Sequence, residues 1–367
     1  MRRNWHVGLL KGLWRRQAKG EKIQGCDEVD RAKNLLSANQ AEDESQESSR
    51  VSPPCVRTVP RDIQTAKEEK MPTTEVTHRI QLKNILYATD FSRAADAAFP
   101  YAAEFARRFG EKFYAVHART PENYLLAAPE AWTATNAEYA KQENALREVL
   151  RSDLPHIASE VLTVEGGVWP VLQSVIDERK IDLLILGTHG RTGIGKFFLA
   201  SVAEEVVRQT CCPVLTVGPH SPSEPPREGR FREILYATDF STEALAALPY
   251  ALSLAQEHRA HVTLLHVVQK AGVPDSIRPD EVEASAVQQM QDLVPGTAEL
   301  WCEPHYAVGE GEPAEAILKA ANKRTSDLIV LGVRKPVGVP GGASHLPFGV
   351  AHKVIAHAIC PVLTVRG

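Results

Sequence analysis

The sequence predicts an α/β chain of two repeated domains, each a five-stranded parallel sheet with helices on both faces. Three observations carry this reading. The octapeptide ILYATDFS stands at 85–92 and again, unchanged, at 234–241. Four further matches follow in the same order: Pro-Tyr-Ala at 100–102 and 249–251, His117 and His266, the runs Asp182–Gly187 and Asp327–Gly332, and Cys-Pro-Val-Leu-Thr-Val at 212–217 and 360–365. All five offsets lie between 145 and 149 residues, far beyond the roughly 20–50 of a solenoid repeat, so one whole domain is duplicated. Within each copy, short apolar runs alternate with segments of helical period, the pattern of a parallel sheet joined by right-handed crossovers.

The elements of the first copy follow in order. Asn84–Ala88 is a short apolar run, hence a buried strand. Ser92 caps a helix that ends before Gly110. Pro100 sits inside that helix, as Pro249 does in the second copy, and is expected to kink it. Lys112–Ala118 is the second strand, and a helix follows over Thr133–Arg151. Then come strand Ser159–Val164, helix Trp169–Glu178, strand Asp182–Leu186, helix Ser201–Gln209 and strand Pro213–Val217. The closing strands of the two copies, Val214–Val217 and Val362–Val365, can pair antiparallel, making an intrachain pseudo-dimer and covering two sheet edges. Pairing between chains, a homodimer, is the alternative. The Pro-rich GPHSPSEPPREGR at 218–230 reads as the connection. The expected organisation is an extension at 1–79, domains at 80–218 and 231–367, and a linker at 219–230.

Composition bounds the function. At roughly 150 residues per domain, 367 residues leave room for two domains and a surplus. Apolar residues at 43% and charged residues at 24% supply a core. Gly at 23 and Pro at 24 are near average and exclude a collagen-like or low-complexity chain. A net charge of -4, from 42 basic and 46 acidic residues, gives no electrostatic reason to expect nucleic acid as a partner. Six cysteines are too few for a disulfide scaffold and fit a reducing, cytoplasmic compartment. No apolar run reaches the roughly 20 residues of a membrane span, so stable membrane insertion is not expected.

Residues 1–20 hold Arg2, Arg3, Lys11, Arg15, Arg16 and Lys19 and no acid. Trp5, Leu9, Leu10, Leu13 and Trp14 fall at helical spacing, as in a helix lying on a membrane surface. Gly8 and Gly12 weaken such a helix by about 1 kcal/mol each. No apolar h-region follows the arginines, so a secretory signal is not expected. The polar run AEDESQESSR and the SPP at 52–54 have little to bury, and the segment reads as a disordered tail. Only Met1, Met71 and Met290 are methionines. Met71 stands just before the first strand, and the natural start is hypothesised there; peptides from 20–60 in the native protein would exclude it.

In open α/β sheets, ligands bind beyond the carboxyl ends of strands, where strand order reverses. The first strand ends at Ala88-Thr89-Asp90 and the fourth at Gly187. If these are neighbours, Asp90 faces the loop Gly187-Thr-His189-Gly190-Arg191-Thr-Gly193-Ile-Gly195-Lys196, which runs on to Ala200 and Ser201. Glycines let backbone N–H groups approach a phosphate, Ser201 opens a helix whose N-terminus favours anions, and Arg191 and Lys196 add positive charge. A carboxylate at one end and a phosphate cradle at the other suit a ribonucleotide. The plainer reading is that Asp90 and Ser92 only cap a helix and the glycines only make a turn. Gly190–Lys196 nearly spells a P-loop, but Phe197 replaces the magnesium-binding Ser or Thr and the loop follows the fourth strand, so that reading is rejected.

ILYATDFS, CPVLTV and the loop G-x-x-G-R-x-G…S resemble the universal stress protein family, as a tandem over about 80–367. The resemblance implies a Rossmann-like, adenine nucleotide alpha hydrolase-like fold, a role in stress response, and ATP, with Mg, as ligand. Many members bind ATP through G-x-x-G-x9-G-[ST] and the Asp after strand one. Carried over, the nucleotide-binding set is Ala88, Thr89, Asp90, Ala118, Gly187, His189, Gly190, Arg191, Gly193, Ala200, Ser201 and Val202. Position 200 is Ala where the family has Gly, which weakens binding if φ there is positive. The second copy keeps Asp239 and Gly332 but has Lys335 where the next Gly belongs, Pro336, Pro340, Gly341 and Gly342 in a longer loop, and Phe348-Gly349 in place of Ala200-Ser201. It is expected to bind nucleotide weakly or not at all.

Other candidates read as structural. Cys211 and Cys212 are taken as buried small hydrophobes, Cys302-x-x-His305 as half a zinc site without a second half, His117 and His266 as packing, and His345, His352 and His357 as polar surface. No catalytic set or metal site is evident. The expectation is an ATP-binding module, not an enzyme, any hydrolysis being slow and incidental. The alternative is a nucleotide-free interaction or scaffold protein; an adenylyl-transfer enzyme would need a catalytic set that is not found.

Overall fold

The computed structural model describes residues 80–120, 129–188, 201–226, 229–269, 278–296, 298, 302–334 and 349–367, all within the unit Pro72–Gly367. The tail, the Met71 start and the basic segment at 1–20 lie outside the described residues. The first copy runs β1 (Asn84–Ala88), α1 (Arg93–Phe109), β2 (Lys112–Arg119), α2 (Pro129–Asp153), β3 (Ala158–Glu165), α3 (Val168–Arg179), β4 (Leu183–Gly187), α4 (Ser201–Gln209) and β5 (Val214–Val217). The second runs β6 (Glu233–Thr238), α5 (Thr242–His258), β7 (His261–Val268), α6 (Pro279–Leu293), β8 (Pro304–Glu310), α7 (Pro313–Arg324), β9 (Leu328–Val333), α8 (Val350–His357) and β10 (Val362–Arg366). Helix α2 starts four residues before its expected start at Thr133, on Pro129, a residue suited to a first turn. Pro100 and Pro249 lie inside unbroken helices.

The ten strands form one sheet in the order β3-β2-β1-β4-β5-β10-β9-β6-β7-β8. Every pair is parallel except β5–β10, where Leu363 opposes Leu215 in antiparallel register. Strand β1 lies between β2 and β4, so strand order reverses at its carboxyl end in the first copy, as at β6 in the second. The strands are continuous apolar runs because both faces are covered. Ile85, Tyr87, Leu183 and Ile185 point into one core with α1 and α5. Leu86, Leu184 and Leu186 point into the other with α3, α4, α7 and α8. Each core draws on both copies. Among the described residues no helix is long and apolar enough to cross a membrane.

The aspartate that opens the fourth strand of each copy has a use the sequence reading missed. Asp182 Oδ2 accepts from the N–H groups of Lys83 and Asn84 at 2.9 and 2.8 Å, and Asp327 does the same for Arg232 and Glu233 at 2.7 and 3.1 Å. These bonds tie the entry of β1 to β4, and of β6 to β9. Asp182→Ala is expected to cost about 1.5 kcal/mol, the value of charge-assisted bonds at a half-exposed position. Urea unfolding at neutral pH measures it.

The seam between copies is built by side chains as well as by β5–β10. Tyr101 donates to the Pro222 and Glu224 carbonyls at 3.0 and 3.2 Å, holding the connection against α1. Arg108 donates to the Glu257 carbonyl at 3.3 Å, and Arg366 to those of Val207 and Arg208. The cysteine expectation needs correction. Cys211 is exposed because it stands in the turn between α4 and β5, and only Cys212 is partly buried, its thiol pushed up to about 11 by that burial. His352 is not on open surface but half-buried, 3.8 Å from Glu204 of the other copy.

Candidate functional site

The carboxyl end of β1 turns into α1 within four residues, and short polar side chains shape the turn. Thr89 is the last residue tied to β2, its N–H donating to the Val116 carbonyl at 2.9 Å. Its Oγ1 accepts from Phe91 N–H at 3.0 Å, and Asp90 Oδ1 accepts from Ser92 N–H at 3.0 Å. Ser92 then caps α1, its Oγ accepting from Ala95 N–H at 3.3 Å. Between these bonds Phe91 is forced to φ 58°, a left-handed conformation that costs an ordinary L-residue about 1–2 kcal/mol. Tyr87 secures the start of the helix by donating to the Ala95 carbonyl at 2.8 Å. The tyrosine, threonine, aspartate and serine of ILYATDFS thus build one strand-to-helix turn.

Gly187 ends β4 beside this turn. A Cβ there would stand 2.3 Å from the Ala94 carbonyl oxygen, so the end of β4 and the first turn of α1 are in close contact. Thr188 follows, fully buried, its N–H donating to the Val217 carbonyl at 3.1 Å. The two segments that sequence places on opposite sides of a crevice, the Asp90 turn and the opening of the glycine loop, are therefore neighbours. The sequence read Gly187 as a phosphate-loop glycine; the contact with Ala94 gives it a packing reason as well.

The remaining expected residues divide into three groups. Ala88 is the last strand residue of β1, with Leu186 and Val116 on either side, and half-buried Ala118 lies on β2 opposite Val164. Ser201 opens α4, and Val202 packs on the core beneath it. His189, Gly190, Arg191, Gly193 and Ala200 lie outside the described residues, as does the question of φ at position 200. Beside the turn stand residues the sequence reading did not put in the site. The His117 ring is 5.1 Å from Tyr139, and the Arg119 guanidinium is 5.6 Å from the same tyrosine and 3.7 Å from Glu165. Only the shared position of His117 and His266 hinted at them. Among the described residues no group of three or more His, Cys, Asp or Glu is arranged to hold a metal.

The second copy repeats the turn. Thr238 accepts from Phe240 N–H, Asp239 from Ser241 N–H, both at 3.0 Å, and Phe240 has φ 60°. There Arg334, two residues past Gly332, reaches back to Asp239 at 3.5 Å and Glu243 at 3.8 Å. Partial burial disfavours ionisation of Asp239, but the Ser241 hydroxyl, the Ser241 N–H and the Arg334 charge outweigh it and hold the carboxyl below its ordinary value. Gly349 caps α8 without a side-chain hydrogen bond.

The family model described as universal stress protein family matches twice, at 81–218 and 230–366. The universal stress protein YxiE of Bacillus subtilis is 32% identical over 151 residues, covering 37% of this chain and 99% of its own length. A universal stress protein of Thermus aquaticus is 33% identical over 141 residues, covering 37% and 99%. The crystal structure of a universal stress protein from Archaeoglobus fulgidus superposes with a TM-score of 0.57 at 20% identity, covering 78% of this chain and 99% of that one.

Proposed function

Since this chain belongs to the universal stress protein family, in two tandem copies, we propose that it is a cytoplasmic adenine-nucleotide-binding module of a stress response, with the first copy as the nucleotide site and the second as its structural partner. The contact of Gly187 with Ala94 carries the reading. It sets the Asp90 turn beside the strand that feeds the glycine loop, at the point where strand order reverses. Asp90 would accept hydrogen bonds from ribose hydroxyls or the base. Backbone N–H groups past Gly187 and at the start of α4 would face the phosphates, with Mg as their counter-ion. The ligand is ATP or a related adenine nucleotide. Occupancy would shift the 187–201 loop and alter affinity for a protein partner. The reading is a binding function, with any hydrolysis slow and incidental.

The second copy supports the asymmetry. Its loop has lost the glycine and serine of the first, with Lys335 and Phe348-Gly349 in their places. Calorimetry of the full chain with ATP is expected to give one nucleotide per chain. Asp90→Ala is expected to weaken binding at least tenfold, a charge-assisted hydrogen bond to the ligand being lost. Asp239→Ala should leave the affinity unchanged. Absence of binding by the wild-type chain would favour the scaffold reading, and two equal sites would overturn the asymmetry.

A further inference from the structure

One side chain on β2 grips the Asp90 turn from both sides. His117 is buried, and its Nδ1 lies 2.8 Å from the Thr89 carbonyl oxygen. A carbonyl only accepts, so Nδ1 carries the proton and donates. The same ring packs 4.8 Å from the ring of Phe91, the residue held at φ 58°. Thr89 and Phe91 flank Asp90. The peptide before the carboxylate is thus fixed by a hydrogen bond and the residue after it by ring contact, just beyond Thr89 N–H, whose bond to the Val116 carbonyl is the last between β1 and β2.

The second copy shows where this grip sends the carboxylate. His266 Nδ1 lies 2.9 Å from the Thr238 carbonyl, and its ring lies 4.6 Å from Phe240. The aspartate held between them meets Arg334, which comes from the far side of the switch point. The carboxylate at the end of β6 therefore lies within reach of the residue that follows β9.

We infer that His117 is the positioning residue of the nucleotide site, aiming Asp90 across the switch point through the Thr89 carbonyl and the Phe91 ring. Its functional consequence rests on the nucleotide reading given above, but the geometric claim does not.

Four full-length chains test it: wild type, His117→Phe, His117→Asn and His266→Phe. Phenylalanine keeps a ring against Phe91 and removes the donor; asparagine keeps an N–H close to the Nδ1 position. His117→Phe is expected to lose about tenfold in ATP affinity by calorimetry, the factor carried by one buried hydrogen bond. His117→Asn should stay within threefold of wild type. His266→Phe removes the same bond in the other copy and should destabilise the fold comparably with no change in ATP affinity. Equal losses in His117→Phe and His266→Phe, or none in either, overturn the inference. Amide exchange of Phe91 and Ser92 provides a readout without nucleotide. It should speed up about tenfold in His117→Phe and not in His117→Asn, and unchanged exchange in His117→Phe overturns the positioning claim. A wild-type chain that binds no ATP overturns the nucleotide reading, while the exchange data still decide whether His117 holds the turn.

Discussion

Lowering the pH from 7 to 5 is expected to cost the fold about 2 kcal/mol through a single buried imidazole, His258, at the seam between the two copies. Its Nδ1 accepts from Phe231 N–H at 3.3 Å, so the ring proton sits on Nε2, which is buried without a hydrogen-bond partner. The rings of Phe231 and Phe109 pack against it at 4.8 and 6.1 Å. A second proton would have to enter at Nδ1, against the N–H that already donates there. Burial first, then the charges of Arg108 and Arg230, lower the pKa of His258 to about 3. In the unfolded chain the ring titrates near the ordinary imidazole value of 6.5. Above that pH both states are neutral and the group contributes nothing to pH dependence. Below it the unfolded chain takes up a proton that the folded chain refuses, so stability falls, reaching about 3 kcal/mol of loss by pH 4.

His258→Gln keeps an acceptor for Phe231 N–H and cannot titrate. It should be less stable than wild type at pH 7 through lost ring packing, yet lose about 2 kcal/mol less between pH 7 and 5. Most carboxylates stay ionised over that interval. His352, also shifted down by burial, titrates alike in both chains and cancels in the difference. Urea unfolding at the two pH values supplies the measurement. Parallel slopes for wild type and variant would show that His258 is not the buried neutral group.

The seam marks the limit of what the sequence made legible. The duplication, the alternation of strand and helix within each copy and the antiparallel closure were readable because each rests on a local pattern: an apolar run, a cap, a repeated motif at fixed spacing. The ladder of Val362, Leu363 and Thr364 on Thr216, Leu215 and Val214 is the outcome of covering two apolar strand edges at once. His258 carries no such signal. It ends α5, at a position where a polar residue is ordinary, and it becomes buried because Phe231 and Phe109 of the two copies converge on it. Arg334 was equally silent, since its meaning depends on a carboxylate 95 residues earlier in the chain. The exposure of Cys211 could not be read from Cys360, because the second copy has Ile359 at the matching place.

The sequence offers a chemical reason for Gly187 and the fold a packing one, and substituting it separates the two explanations. A Cβ on Gly187 would meet the Ala94 carbonyl oxygen at 2.3 Å and carbon at 2.5 Å; on Gly332 it would meet the Glu243 oxygen at 2.2 Å and carbon at 2.4 Å. The obstructing atoms are backbone, so no rotamer change relieves the overlap. Nor can the helices retreat freely. Ser92 and Tyr87 hold the first turn of α1, and Ser241 and Tyr236 hold that of α5, Tyr236 donating to the Ala244 carbonyl at 2.7 Å. Gly187→Ala and Gly332→Ala are each expected to cost about 3 kcal/mol, the upper range for overpacking a core site. A glycine present only to admit a phosphate would behave differently: Gly187→Ala would leave stability within about 0.5 kcal/mol of wild type, as a surface change does, and reduce nucleotide affinity alone. Urea unfolding of the two variants distinguishes these cases, and near-wild-type stability in either would overturn the packing account. Comparable losses in both copies would mean that the glycine serves helix docking wherever this turn is built. Its retention at 332 is then no argument for nucleotide in the second copy, and the residues that discriminate the two sites are those that differ in sequence, beginning with Lys335 where the first copy has Gly190.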